Sequence, residues 1–143
     1  MKGRKRVLMV DSEGDPLGVR VVPADVQDRD ALAALAPDLA ALAPDLAAHP
    51  SPHLAWMDLG FAAERCGELL ACHGIVQELV GTPGRRGFVV EPRRWKVEQT
   101  FGCLQRHRRL RVDDEASTAS SRHMTILASL LMTGMRLERM LQA

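Results

Sequence analysis

The chain has 143 residues, 46% of them apolar and 26% charged, which is enough for an ordinary core and too apolar for disorder. A net charge of +1 excludes a uniformly basic molecule, so contact with a polyanion must come from local clusters, here residues 2–6 and 85–111. Three cysteines without CxxC spacing read as buried free thiols of a reducing cytosol, and the longest apolar run, residues 124–132, is too short to span a bilayer.

In chain order, a basic start runs into Val7-Leu8-Met9-Val10. Turn chemistry follows in Asp11-Ser12-Glu13-Gly14-Asp15-Pro16, and residues 17–22 are again β-rich. This pattern predicts an antiparallel hairpin, with Asp11 as a turn residue capping its own backbone. Asp28 is placed to cap a helix rich in alanine and leucine, and Asp30 suits its first turn. Residues 34–40, ALAPDLA, are repeated at once by residues 41–47. Each proline opposes a helix interior, so short turns broken at Pro37 and Pro44 are expected in this most expendable part of the chain.

Residues 52–58, PHLAWMD, read as a buried strand ending in Asp58, followed by a turn at Gly60-Phe61 and a helix over 62–72. Asp58 suits either a ligand site at a strand end or a helix N-cap. A strand over 75–80, a glycine-bearing loop with Arg85 and Arg86, and an apolar run Phe88-Val89-Val90 come next. Pro92 then opens a helix whose Val97, Phe101 and Leu104 share one stripe. Glu98 stands in that helix with Arg94 one turn before it, among Arg93, Lys96, Arg106, Arg108, Arg109 and Arg111. A carboxylate among so many cations suits a phosphate or metal site, or simply pairs with Arg94. The last segment recurs at helical spacing through Met124, Leu127, Leu131 and Met135, which predicts an amphipathic helix laid on the sheet with its methionines as core filler. His73, His107 and His123 have no ligand spacing and read as surface or capping residues.

Three blocks in this order, KGRKRVLMVD, AWMDLGF and RRWKVEQTFGCLQRHRRL, resemble the catalytic domain of DDE transposases from bacterial insertion sequences. The resemblance covers nearly all of the chain and implies an α/β fold of the ribonuclease-H-like kind, a mixed sheet flanked by helices. On that resemblance residues 1–143 form a partial catalytic domain carrying the duplicated Ala/Pro-rich insert at 34–50. Asp58 and Glu98 would be catalytic carboxylates and metal ligands, in a family that holds two Mg²⁺ (or Mn²⁺) ions between two aspartates and a glutamate. Arg94, Arg106, Arg108, Arg109, Arg111 and Lys5 would contact double-stranded DNA at transposon ends and target. The implied chemistry is metal-dependent phosphoryl transfer, about 4 Å separating the two metals, with no covalent protein–DNA intermediate.

The family's first aspartate sits on a strand before the KGRKR block, and Asp11 does not match it. The expectation is an N-terminally truncated domain, inactive alone, completed by a half encoded in an upstream frame or working as a homo-oligomer. Its place would be the bacterial cytoplasm, at the nucleoid and away from membranes. Two alternatives stand beside it: a non-catalytic DNA-binding remnant or regulator of transposition, and a small α/β domain with no nucleic-acid role.

Overall fold

The computed structural model describes residues 3–49, 53–81 and 92–142, for residues 92–94 the backbone alone. The apolar run at 88–90 and the arginines Arg85 and Arg86 lie outside the described residues. The chain divides into two compact units, one formed by Met1–Ala24 with Lys96–Ala143 and the other by Asp25–Trp95.

In the first unit the hairpin forms as expected. Strands β1 (Arg4–Val10) and β2 (Pro16–Pro23) pair antiparallel, with a register irregularity between Met9 and Val10. The basic start is therefore part of a strand. Asp11 is the turn residue, its Oδ1 accepting the backbone N–H groups of Glu13 and Asp15 at 2.9 and 2.8 Å. Gly14 takes φ +89°, where other residues are strained, and its carbonyl accepts the Thr100 hydroxyl at 2.7 Å. Thr100 belongs to α4 (Pro92–Leu104), so the turn is docked on that helix. A four-residue helix, α5 (Arg108–Arg111), and a 24-residue helix, α6 (Thr118–Leu141), complete the unit. Leu104, Leu110 and Ala128 form its buried cluster, with Leu8 and Met124 packed against it.

The buried face of α6 departs from expectation. Ser121, Thr125, Ala128 and Ser129 are buried, whereas Leu127, Leu131 and Met135 are exposed. Small residues let α6 lie close to β2, and the Arg122 Nε donates to the Val19 carbonyl there at 2.8 Å. Their hydroxyls are satisfied locally. Thr125 donates to the Ser121 carbonyl and Ser129 to the Thr125 carbonyl, both at 2.8 Å, so burying them leaves no hydroxyl donor unpaired.

The second unit contains α1 (Asp28–Ala31), a 3-10 turn at Leu32–Leu35, α2 (Ala36–Ala48), and a strand–helix–strand unit of β3 (His53–Asp58), α3 (Glu64–Ala71) and β4 (Ile75–Val80). The strands β3 and β4 run parallel, as a crossover through a helix allows. Strands of both directions are thus present, in two separate two-stranded sheets among the described residues.

Gln27, not Asp28, holds the N-cap position of α1, and Asp28 and Asp30 fall in its first turn. The proline repeat does not break the helix twice. Pro37 lies in the first turn of α2, where no N–H is needed, and Pro44 sits inside it. The Ala40 carbonyl that Pro44 cannot satisfy lies on the exposed side, where water can reach it. Nor is the segment expendable, because Leu35 and Leu39 bury almost completely in a core with Leu32, Cys66 and Leu70. The helical run Asp28–Ala48 is long and apolar enough to cross a membrane by length and composition, contrary to the expectation that no stretch qualifies. Its buried residues are Ala31, Leu32, Leu35 and Leu39.

Candidate functional site

β3 ends at Asp58, and the side chain turns back to accept the Leu59 backbone N–H at 2.8 Å. It thereby caps the 3-10 turn Leu59–Phe61, which precedes α3. The N-cap role is therefore real, and it uses one carboxylate oxygen of an exposed residue. Gly60 in the same turn has a steric reason to be glycine: a Cβ there would stand 2.8 Å from the Asp28 Oδ2. Gly60→Ala should push Asp28 and the Asp58 turn apart at a cost of about 1 kcal/mol, read by thermal melting. The double variant with Asp28→Ala should recover most of that loss, and a Gly60→Ala loss that Asp28→Ala leaves unchanged would refute the contact.

Glu98 is exposed on α4, and the stripe expected beside it is present, with Val97 and Phe101 half-buried and Leu104 buried. The sequence pattern missed buried Thr100, which adds to that face a hydroxyl shared between the Gly14 and Lys96 carbonyls. The Arg94 side chain lies outside the described residues. Asp58 belongs to the second unit and Glu98 to the first. Among the described residues no group of three or more His, Cys, Asp or Glu could hold a metal ion.

The basic run does not continue α4. That helix ends at Leu104, and the run forms the separate α5, with His107 at its N-cap position. Arg106, Arg108 and Arg111 are exposed and make no ion pair among the described residues. Arg109 differs, since its Nη2 lies 2.8 Å from the Glu115 carboxylate. Lys5 is half-buried in β1 opposite Val22.

The acidic loop 113–115, whose role the sequence reading did not identify, organises this surface. Asp113 accepts from Arg4 Nη1 at 3.0 Å and Ser121 Oγ at 2.8 Å, and Arg6 Nη2 is 3.6 Å away. Arg6 also donates to the Leu110 carbonyl at 3.2 Å. Glu115, only 9% exposed at its side chain, holds Arg109 and also accepts the Ser120 hydroxyl at the start of α6. Burial by itself would raise the Asp113 carboxyl. The Ser121 and Glu115 hydrogen bonds and the Arg6 and Arg4 charges outweigh it, so its pKa is lowered. A signal was present in the sequence: three carboxylates, Asp113-Asp114-Glu115, follow the Arg108–Arg111 run after the single residue Val112.

The three cysteines are free, as expected, although only Cys66 is buried and Cys72 is exposed.

The chain matches the family described as "Transposase DDE domain" over residues 1–133. It is similar to a putative transposase for insertion sequence element IS402 from Burkholderia cepacia, at 31% identity over 112 residues, covering 77% of this chain and 53% of that protein. The chain thus spans about half the length of the curated relative it matches. No solved structure matches.

Proposed function

Because the chain belongs to the transposase DDE domain family, we propose that it is the C-terminal part of an insertion-sequence transposase that acts on double-stranded DNA by metal-dependent phosphoryl transfer. The observation that carries the reading is the family match over residues 1–133, which takes in both a strand-end aspartate, Asp58, and a helical glutamate, Glu98, beside a basic helix. In this reading the two carboxylates are metal ligands for Mg²⁺ or Mn²⁺, and a third comes from the half of the relative that this chain does not span. Such a half would also supply the remaining strands of a ribonuclease-H-like mixed sheet. The working place is the bacterial cytoplasm, at the nucleoid.

Within this reading Arg94, Arg106, Arg108 and Arg111 contact the phosphate backbone, and Lys5 and Arg109 contribute less. Arg109 is already partnered by Glu115, and breaking that pair offsets part of what a phosphate contact returns. The chain alone binds DNA through charge and does not cleave it. A non-catalytic DNA-binding remnant or regulator is the second reading, since the same basic helix α5 would serve it without the carboxylates.

Binding of the chain to a 40-base-pair duplex, followed across a salt series, tests both. Arg108→Gln with Arg111→Gln should weaken binding about tenfold or more and flatten the slope of log K against log salt by about 2. Arg109→Gln should have a clearly smaller effect. Fusion to the N-terminal half of the relative should restore Mg²⁺-dependent cleavage, which Asp58→Asn or Glu98→Gln should reduce at least about a thousandfold. Binding indifferent to these arginines would refute the DNA surface. Cleavage surviving both carboxylate substitutions would refute the catalytic assignment, whereas a fusion that binds without cleaving would select the regulator.

A further inference from the structure

We propose that the hairpin turn of residues 11–15 is a positioning device for the helix that carries Glu98, with Thr100 as the positioning residue. This role rests on the reading of Glu98 as a reacting carboxylate, and it says what aims that carboxylate. Thr100 is only 2% exposed, and its hydroxyl is shared between the Gly14 carbonyl at 2.7 Å and the Lys96 carbonyl at 2.9 Å. The Lys96 contact, one turn back, is the ordinary local bond of a helical threonine. The Gly14 contact spans 86 residues of sequence and ties α4 to the β1–β2 hairpin.

The apolar stripe of α4 does not supply the same constraint. Val97, Phe101 and Leu104 are held by burial, which has no direction and resists lifting a helix away more than sliding or turning it. A slip of one residue moves a helix about 1.5 Å along its axis and turns a given side chain by about 100°. Both exceed the roughly 0.5 Å and roughly 10–20° within which a reacting group has to be held. A directional bond at a buried position removes that freedom. Glu98 stands two residues before Thr100, about 200° around the helix, so the bond grips the far side and leaves the carboxylate outward and exposed.

The turn is a firm support for such a bond. Asp11 closes it from within, its side chain accepting the Glu13 and Asp15 N–H groups and its carbonyl the Gly14 N–H at 3.1 Å. From α6, Arg136 donates to the Glu13 carbonyl and carboxylate, both at 2.8 Å, and to the Asp15 carboxylate at 3.3 Å. That carboxylate also accepts the Thr133 hydroxyl. Glycine at position 14 serves the Thr100 bond directly, because a Cβ there would stand 3.1 Å from Thr100 Oγ1 and crowd it.

Thr125 is a matched control, a hydroxyl buried as deeply on α6 that donates to the Ser121 carbonyl of its own helix. Thr100→Val keeps the shape of the side chain and removes the hydroxyl. In the chain alone it should speed hydrogen exchange of the amides of residues 97–104 about tenfold. Thr100→Ser should stay close to the parent, and Thr125→Val should leave these amides unchanged. In the fusion with the N-terminal half of the relative, Thr100→Val should lower kcat for Mg²⁺-dependent cleavage at least about tenfold, with KM for DNA within about twofold. Thr100→Ser should keep kcat near the parent value, and so should Thr125→Val. A parent fusion that does not cleave refutes the reading of Glu98 and removes the positioning role with it. With a cleaving parent, the role is overturned on its own by α4 exchange that Thr100→Val leaves unchanged or by a loss carried in KM. An equal loss of kcat in Thr125→Val, or a serine that behaves like the valine, overturns it as well.

Discussion

Asp113→Asn is expected to destabilise the unit built from β1, β2 and α4–α6 by about 2 kcal/mol at neutral pH. The asparagine keeps the shape of the side chain and loses its charge. Arg4 and Arg6 would then stand beside a neutral amide, and Ser121 would have to share its single remaining acceptor. The loss carries a pH signature. Because the Asp113 carboxyl titrates below its ordinary range in the folded chain, its contribution is fully present above about pH 4, the unfolded value, and disappears as pH falls through the lower folded value. The gap in melting temperature between the parent and Asp113→Asn should therefore be full at pH 7 and narrow steadily below pH 4. A gap independent of pH would remove the carboxylate from the explanation.

The same substitution should act with the opposite sign on DNA. Asp113 and Glu115 occupy the guanidinium groups of Arg4, Arg6 and Arg109, which the sequence alone offers as part of a basic surface. Removing the Asp113 charge leaves two cations less compensated, and duplex binding at low salt should tighten while stability falls. Measured together, these two opposed changes separate an electrostatic tie from a packing defect, which would lower both.

Leu39→Ala should cost about 3 kcal/mol in the second unit, where the side chain is fully buried. The tandem repeat supplies an internal control. Leu46 occupies the same place in the second ALAPDLA copy but is only half-buried, so Leu46→Ala should cost about 1 kcal/mol. Trp56 lies on β3 of this unit, whereas Trp95 stands on α4 at the unit boundary, and the chain has no tyrosine. Denaturant unfolding in a Trp95→Phe background, followed by the fluorescence of Trp56, therefore reports this unit. Equal costs at Leu39 and Leu46 would mean that burial does not distinguish the two copies.

Local chemistry made parts of the fold legible. The Asp11 turn, the β-rich runs of β1 and β2, the position of Asp58 at a strand end and the stripe of α4 all follow from patterns a few residues long. What failed was long-range. The leucine spacing of α6 marked an apolar face correctly, yet periodicity cannot say whether the chain buries that face or a second one lined with Ser121, Thr125 and Ser129. Small hydroxyl residues look polar in sequence and become a packing surface once each returns its proton to the carbonyl one turn back. The basic clusters were visible, but the compensation of Arg4 and Arg6 by Asp113 joins residues more than a hundred positions apart, whereas the Arg109–Glu115 pair is local. For the carboxylates, composition and spacing supplied candidates, and the family resemblance supplied their roles.

The tandem copy in α2 has a geometric consequence. Seven residues make close to two helical turns, so adding or removing one ALAPDLA unit advances the helix by about 10 Å and rotates it by only about 20°. A helix can absorb such a duplication with its leucines still on the same side, as Leu35 and Leu39 are echoed by Leu42 and Leu46. The second copy has meanwhile acquired a tie of its own, the Leu46 carbonyl 3.0 Å from the His53 ring on β3. Replication slippage in this stretch would thus lengthen or shorten a spacer in phase, leaving the inherited face of the helix intact and altering only how far along it the chain departs toward the strand that bears Asp58.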